Sequence, residues 1–203
     1  VAFMSCANST SEPVWQRMGE LAVNQVILGG DTPYNDVVDL PTFRSKHRAF
    51  LETSFMRSLI RSTSSVGTWD DHDFGLNNGN GVNAADRRDN ALKAFVEYRA
   101  HDQFGTGTEG VYHKVNLGMM EIFLLDPRWW SQTMASPVDP TKKTCYGPEQ
   151  WTWIQQALEA SKAPFKVLTI GEIWQDKKNS ENDDQFTYWY ERDALFDFIK
   201  KKK

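Results

Sequence analysis

The sequence is short of the features that define several simple classes of protein. Its 203 residues include two cysteines, Cys6 and Cys145. Two thiols close at most one bridge, which excludes a disulfide-stapled fold. No apolar run approaches the roughly 20 residues of a membrane-spanning helix. There is no internal repeat and no low-complexity stretch. Nor is there a basic stripe apart from the lysines at the end, and the net charge is -4. Charge therefore gives no reason to expect a nucleic-acid partner. A signal-peptide pattern is also missing. Because Val1 opens within an expected strand, a trimmed start is expected, and the missing signal says little about compartment.

Aromatic residues, by contrast, are plentiful: eight tryptophans and twelve phenylalanines. They favour large side chains buried between layers, or an aromatic-lined cleft. With 40% hydrophobic and 25% charged residues, the composition is that of a globular protein, and the length suits one domain, residues 1–203.

Short apolar runs alternate with segments of helical period, the pattern of a layered α/β fold. Strands are expected at residues 1–4, 25–28, 65–69, 118–125 and 165–170. A first helix is expected with Ser11 near its cap and Pro13 in its first turn, carrying Val14, Met18 and Leu21. Pro41 opens a second, with Phe43, His47, Phe50 and Leu51 along one face. A third covers residues 84–98, with Leu92, Phe95 and Val96 inward. Pro148 starts another, with Trp151, Ile154 and Leu158 on one face. A last helix covers residues 186–203, with Leu195, Phe198 and Ile199 inward and lysines at its dipole-favoured end. Residues 75–83 are rich in turn formers, and residues 131–145 read as a long surface loop.

Polar groups follow each expected strand. The first run leads to Cys6 and Asn8, and the second to Asp31 and Tyr34. The third leads to Asp70, Asp71, His72 and Asp73, the fourth to Asp126 and Arg128, and the fifth to Glu172 and Trp174. In open α/β sheets this edge is where ligands bind. Carboxylates, a thiolate, a phenolate and an imidazole form a mixed hard and soft donor set, suited to a transition or trivalent metal beside a hard cation. A carboxylate shared between two ions is the usual plan of a two-metal hydrolase.

Each piece has a plainer reading. Residues 70–73 are about equally readable as a solvated acidic turn. Gly29-Gly30-Asp31 alone reads as a turn. Cys6 alone reads as a small buried apolar residue, and Asp126-Pro127-Arg128 as an ion pair or turn. His47 reads as a core histidine. His101 and His113 have no supporting neighbours. Trp129 and Trp130 read as core residues beneath a loop, or as the lining of a lipid or nucleotide pocket.

In chain order, Ser5-Cys6, Gly30-Asp31-Thr32-Pro33-Tyr34 and Trp69-Asp70-Asp71-His72-Asp73-Phe74-Gly75 resemble the PhoD-like (alkaline phosphatase D) family of the calcineurin-like metallophosphoesterase superfamily. Leu125-Asp126-Pro127-Arg128, Gly147-Pro148-Glu149-Gln150-Trp151 and residues 161–167 match later landmarks. The Trp-Asp-Asp-His-Asp run is the most specific. The resemblance implies a two-sheet sandwich flanked by helices, in four layers. It implies that Cys6, Asp31 and Tyr34 hold one metal, expected to be Fe3+, and that Asp31 bridges to a second, expected to be Ca2+ and held by Asp71. His72 would stand beside the leaving group, with Asp70 and Asp73 in support. Asn77 and Arg128 would contact substrate.

Two departures stand out. Met4 precedes Ser5-Cys6 where the family usually has glycine. The family also continues, after the helix matching residues 191–203, into a strand and a Gly-Asp-x-His turn that supplies further ligands. The fold is therefore expected to be incomplete at the C-terminus, with more chain or a partner needed to complete the sheet and metal site.

The implied activity is metal-dependent hydrolysis of phosphate mono- or diesters. The alternative is a non-catalytic phosphatase-like module within an assembly. An extracytoplasmic location follows from family habit alone.

Overall fold

The carboxyl ends of β2 (Gln25–Leu28) and β5 (Met120–Leu124) organise the molecule, one from each of two sheets. The computed structural model describes residues 1–7, 13–178, 180 and 182–202. The readings at Asn8, Ser11 and Lys203 lie outside the described residues.

The first sheet is parallel, in the order β1 (Ala2–Met4), β2, β3 (Ser64–Gly67). Ala2 pairs with Val26, and Val26 with Ser65. The second sheet has β4 (His113–Asn116) antiparallel to β5, and β6 (Phe165–Thr169) parallel to it. Gln25-Val26-Ile27-Leu28 is buried at all four positions, as a strand covered on both faces requires.

Ile27 and Val66 of the first sheet meet Ile122 and Leu124 of the second in one apolar cluster. This is a sandwich interface, formed because alternate side chains point to opposite faces. Val26 and Leu28 point the other way, to Trp15 of α1 (Pro13–Glu20), Phe50 of α2 (Leu40–Glu52) and Met56 and Leu59 of α3 (Ser54–Ser62). Phe123 of the second sheet packs on Ile154 and Leu158 of α6 (Gly147–Ala160) and Leu195 of α7 (Trp189–Lys201). The layers are therefore helix, sheet, sheet, helix, as the resemblance implies. Among the described residues, no helix is long and apolar enough to cross a membrane.

A further aromatic cluster sits beside the strand ends. It joins Trp69, Phe74, Phe95, Trp129 and Trp130 with Phe43. Trp129 and Trp130 are 3% and 4% exposed, so they are core residues and not a pocket lining. His47 is fully buried, as expected, and stacks on Tyr98. The thiols of Cys6 and Cys145 are both free.

Several local readings are corrected. The helix expected from residue 84 begins later, as α5 (Arg88–Glu97), because residues 81–87 form turns. Val96 points outward, at 40% exposure. In α1 Trp15 is buried, whereas Val14, and Leu21 just past the end of the helix, are exposed. The strand expected from Gly118 starts at Met120, because Gly118 takes a left-handed φ of 80° in the turn from β4. The strand expected at residues 65–69 is β3, Ser64–Gly67. Trp69 lies beyond it, with its ring in the core.

Candidate metal and phosphate site

Three strands of the first sheet end side by side, so the residues that follow them converge. The Cys6 and Asp31 backbones are both left-handed, with φ of 57° and 54°. That conformation is uncommon for non-glycine residues and occurs at turns and functional sites. Cys6 Sγ lies 3.8 Å from Asp31 Oδ2. After β3 the chain enters α4 (Asp71–Phe74), a single helical turn. This turn presents Asp71 and His72 to Asp31. The three offer ligand atoms that all lie within 4.8 Å of one another.

Asp73 is the clamp that holds these segments together. Its buried carboxylate accepts the backbone amides of Thr32 (3.0 Å), Asp70 (3.0 Å) and Asp31. It thereby fixes the turn after β2 to the turn after β3. The Asp31 carboxylate in turn accepts the His72 amide at 3.3 Å. Tyr34 tilts over the His72 ring, with centroids 4.3 Å apart. Burial, then Asp31 and Cys6, push the Tyr34 phenol up.

His72 donates from Nδ1 to both carboxylate oxygens of Asp36, at 2.8 and 2.7 Å. A carboxylate only accepts, so Nδ1 carries the proton and Nε2 is the ring nitrogen left for an ion or a substrate. Asp36 has no expected role in the sequence reading. An aspartate five positions after Asp31 has no local signature that marks it as the partner of a histidine 36 residues on.

The second sheet contributes a cation and two more carboxylates. Arg128 is expected at the site from its strand end. Its side chain is 1% exposed, and it lies beneath the metal-facing groups. Its guanidinium binds Asp70 through Nε at 2.9 Å and also through Nη2. Nη1 lies 2.6 Å from Asp183 and 3.6 Å from Glu172. It therefore faces carboxylates and not substrate. Asp126 is fully buried and accepts Trp69 Nε1 together with the amides of Val111, Arg128 and Trp129. Its role is structural. Asn77 is exposed on the rim. The neighbouring Asn78 donates its amide to Asp71 at 2.6 Å.

The electrostatics suit a cation. Asp31 is raised to about 8 by burial and then by the charges of Asp70, Asp73 and Asp71. Burial also pushes Asp71 upward, but Arg128, the Asn78 amide, His72 and Lys178 outweigh it and leave it lowered. Asp73 rises to about 6 because burial exceeds its stabilising contacts. The second oxygen of Asp71, Oδ1, is buried and has no hydrogen-bond partner. An ionised, buried carboxylate oxygen without a partner is costly. A bound cation would satisfy it and would relieve the crowding that raises Asp31. The residues present therefore fit a metal ion.

The sequence profile of the PhoD-like phosphatase family matches residues 1–203. The chain belongs to the PhoD-like phosphatase family. No curated protein matches it at a significant level. Membership of a phosphatase family implies a phosphate-ester substrate. An open groove lined by Leu158, Lys166 and Phe198 lies at the amino end of β6, away from Asp31, Asp71 and His72.

Proposed function

We propose that the chain is a metal-dependent phosphoesterase acting on phosphate mono- or diesters through a two-metal centre. The convergence of Asp31, Asp71 and His72 carries this reading. Cys6, Asp31 and Tyr34 would hold an ion of the Fe3+ kind, matching their softer donor set, and Asp31 with Asp71 one of the Ca2+ kind. These four residues leave positions for water, substrate oxygens or further ligands. When bound, the ions supply electrophilic stabilisation of phosphoryl charge and a more acidic water.

The side chains do the rest. Asp73 holds Asp31 and Asp71 in register, so the donors are preorganised. Asp36 holds His72 by Nδ1 and fixes the orientation of its ring. As a water oxygen adds to phosphorus and gives up a proton to solvent, the ester P–O bond breaks and the departing oxygen takes the proton from His72 Nε2. Arg128 buries a positive charge beneath Asp70 and Asp71. Its charge opposes the upward push of burial on both and leaves Asp71 lowered, without entering the site.

Purified protein should carry metal and release phosphate or nitrophenol from generic esters, with both lost on chelation. Asp31→Ala should abolish metal binding and turnover together. Unchanged turnover in Asp31→Ala and His72→Ala would refute the assignment. Fewer than one tightly bound ion per chain would favour the non-catalytic module.

A further inference from the structure

The segment of residues 31–36 carries Asp31, Tyr34 and Asp36, and it is fastened at several points. At its start Asp73 accepts the amides of Asp31 and Thr32. At its far end the Asn35 amide donates to the His72 carbonyl at 3.1 Å, and Lys46 Nζ donates to the Tyr34 carbonyl at 3.1 Å. The Thr32 carbonyl lies between these anchors, on the path from Asp31 to Tyr34. Its donor is Arg99, which gives a hydrogen bond from Nη2 to that carbonyl and another to Thr32 Oγ1 at 3.2 Å. Thr32 is fully buried, and Arg99 is 8% exposed.

Arg99 reaches this point from α5, two residues beyond Glu97 at the end of the helix. Its guanidinium rests over the Phe95 ring, with Cζ 4.9 Å from the centroid. Phe95 is held edge-on by Trp69 and Phe104 within the aromatic cluster. Burying a cation is costly, and its donors are ordinarily all used. Here Nε and Nη1 are buried without a hydrogen-bond partner among the described residues. The hydrogen bonding of this buried cation therefore goes to one residue, Thr32, which adjoins Asp31. Outer partners of this kind orient the groups that bind a metal.

We propose that Arg99 is a positioning residue of the metal centre: by holding the carbonyl and hydroxyl of Thr32 it fixes the turn that sets Asp31 and Tyr34 about an ion. This rests on the phosphoesterase reading, in which both are ligands.

The test is titration of the chelator-stripped chain with Co2+, followed by visible absorbance. Arg99→Met keeps an unbranched stem and removes the donors. Its Co2+ affinity should fall by roughly ten- to a hundredfold, the range for outer partners of metal ligands, and its absorption bands should shift. Arg99→Lys restores one donor and should recover part of the loss. Thr32→Val leaves the guanidinium charge in place and removes only the Oγ1 acceptor, so it should weaken binding less than Arg99→Met does. Leu158→Ala, buried in α6 against the second sheet, should lower stability and still bind Co2+ as the parent does. Parental affinity in Arg99→Met, or an equal fall in Leu158→Ala, would overturn the proposal and leave the phosphoesterase reading standing. If Arg99→Met does not fold, Thr32→Val decides: parental affinity and spectrum overturn the proposal, and weaker binding with shifted bands supports it. A parent chain that neither binds Co2+ nor hydrolyses nitrophenyl phosphate would overturn both.

Discussion

Trp69 donates its indole N–H to Asp126 at 2.6 Å, tying the end of β3 to the end of β5. The bond crosses from one sheet to the other and both residues are buried. Trp69→Phe keeps an aromatic ring and removes the donor. The substitution should cost about 1–3 kcal/mol, the range for depriving a buried charged acceptor of a partner. Urea unfolding should show a lower midpoint with an unchanged slope. A midpoint equal to that of the parent would mean that the bond contributes nothing.

Asp70 is confined by two glycines. A Cβ at Gly171 would fall 2.6 Å from Asp70 Cβ, and one at Gly30 would meet the same atom at 2.6 Å. Gly30 also has a φ of 115°, which disfavours any side chain. Gly171→Ala should displace Asp70 from Arg128, destabilise by about 1–3 kcal/mol as overpacking does, and weaken metal binding. Gly19→Ala, in α1 with open space around it, should instead stabilise by about 0.5–1 kcal/mol through helix propensity. Equal effects in the two variants would rule out the steric argument.

His113 donates Nδ1–H to Val111 O at 2.8 Å, and its Nε2 is buried without a partner. Burial lowers its pKa from 6.5 to about 3, and that of His47 likewise. A lowered histidine is neutral in the fold and charged when unfolded. Its stabilising contribution is therefore complete above pH 6.5 and is lost as pH falls from 6.5 towards 3, by up to about 1.4 kcal/mol per unit and per ring. His113→Asn keeps an N–H donor and cannot be protonated. Unfolding free energies from pH 6.5 to 4 should fall less steeply in His113→Asn than in the parent. Parallel slopes would show that His113 is not protonated on unfolding.

Asp36 orients His72 through its Nδ1. Asp36→Asn should lower kcat by roughly a hundredfold or more, as loss of general-acid function does, while leaving the bound metal count unchanged. Elemental analysis beside a pH–rate profile separates two roles. If His72→Ala loses an ion, His72 is a ligand. If it keeps every ion and loses rate, His72 is the acid.

Much of the site was legible because its residues end strands. Cys6, Asp31 and residues 70–73 follow β1, β2 and β3, and apolar runs located those strands. β4 was not legible: His113-Lys114-Val115-Asn116 has one apolar residue, and only its pairing with β5 makes it a strand. α3 was not legible because Ser54-Phe55-Met56-Arg57 follows α2 after a single residue, Thr53, with no proline or glycine to mark a new start. Arg128 was recognised, but its direction was not. Its partners Glu172 and Asp183 lie 44 and 55 positions away, and no local pattern relates them.

Arg128 gives the site a dependence on parts that never touch a ligand. The proposed donors Asp31 and Asp71 belong to the first sheet, and the Arg128 charge that lowers Asp71 arrives from the second. Cation affinity is therefore a gauge of sheet docking. A lesion at Ile122 or Leu124, deep between the sheets, would register as a loosened ion before it registered as an unfolded chain.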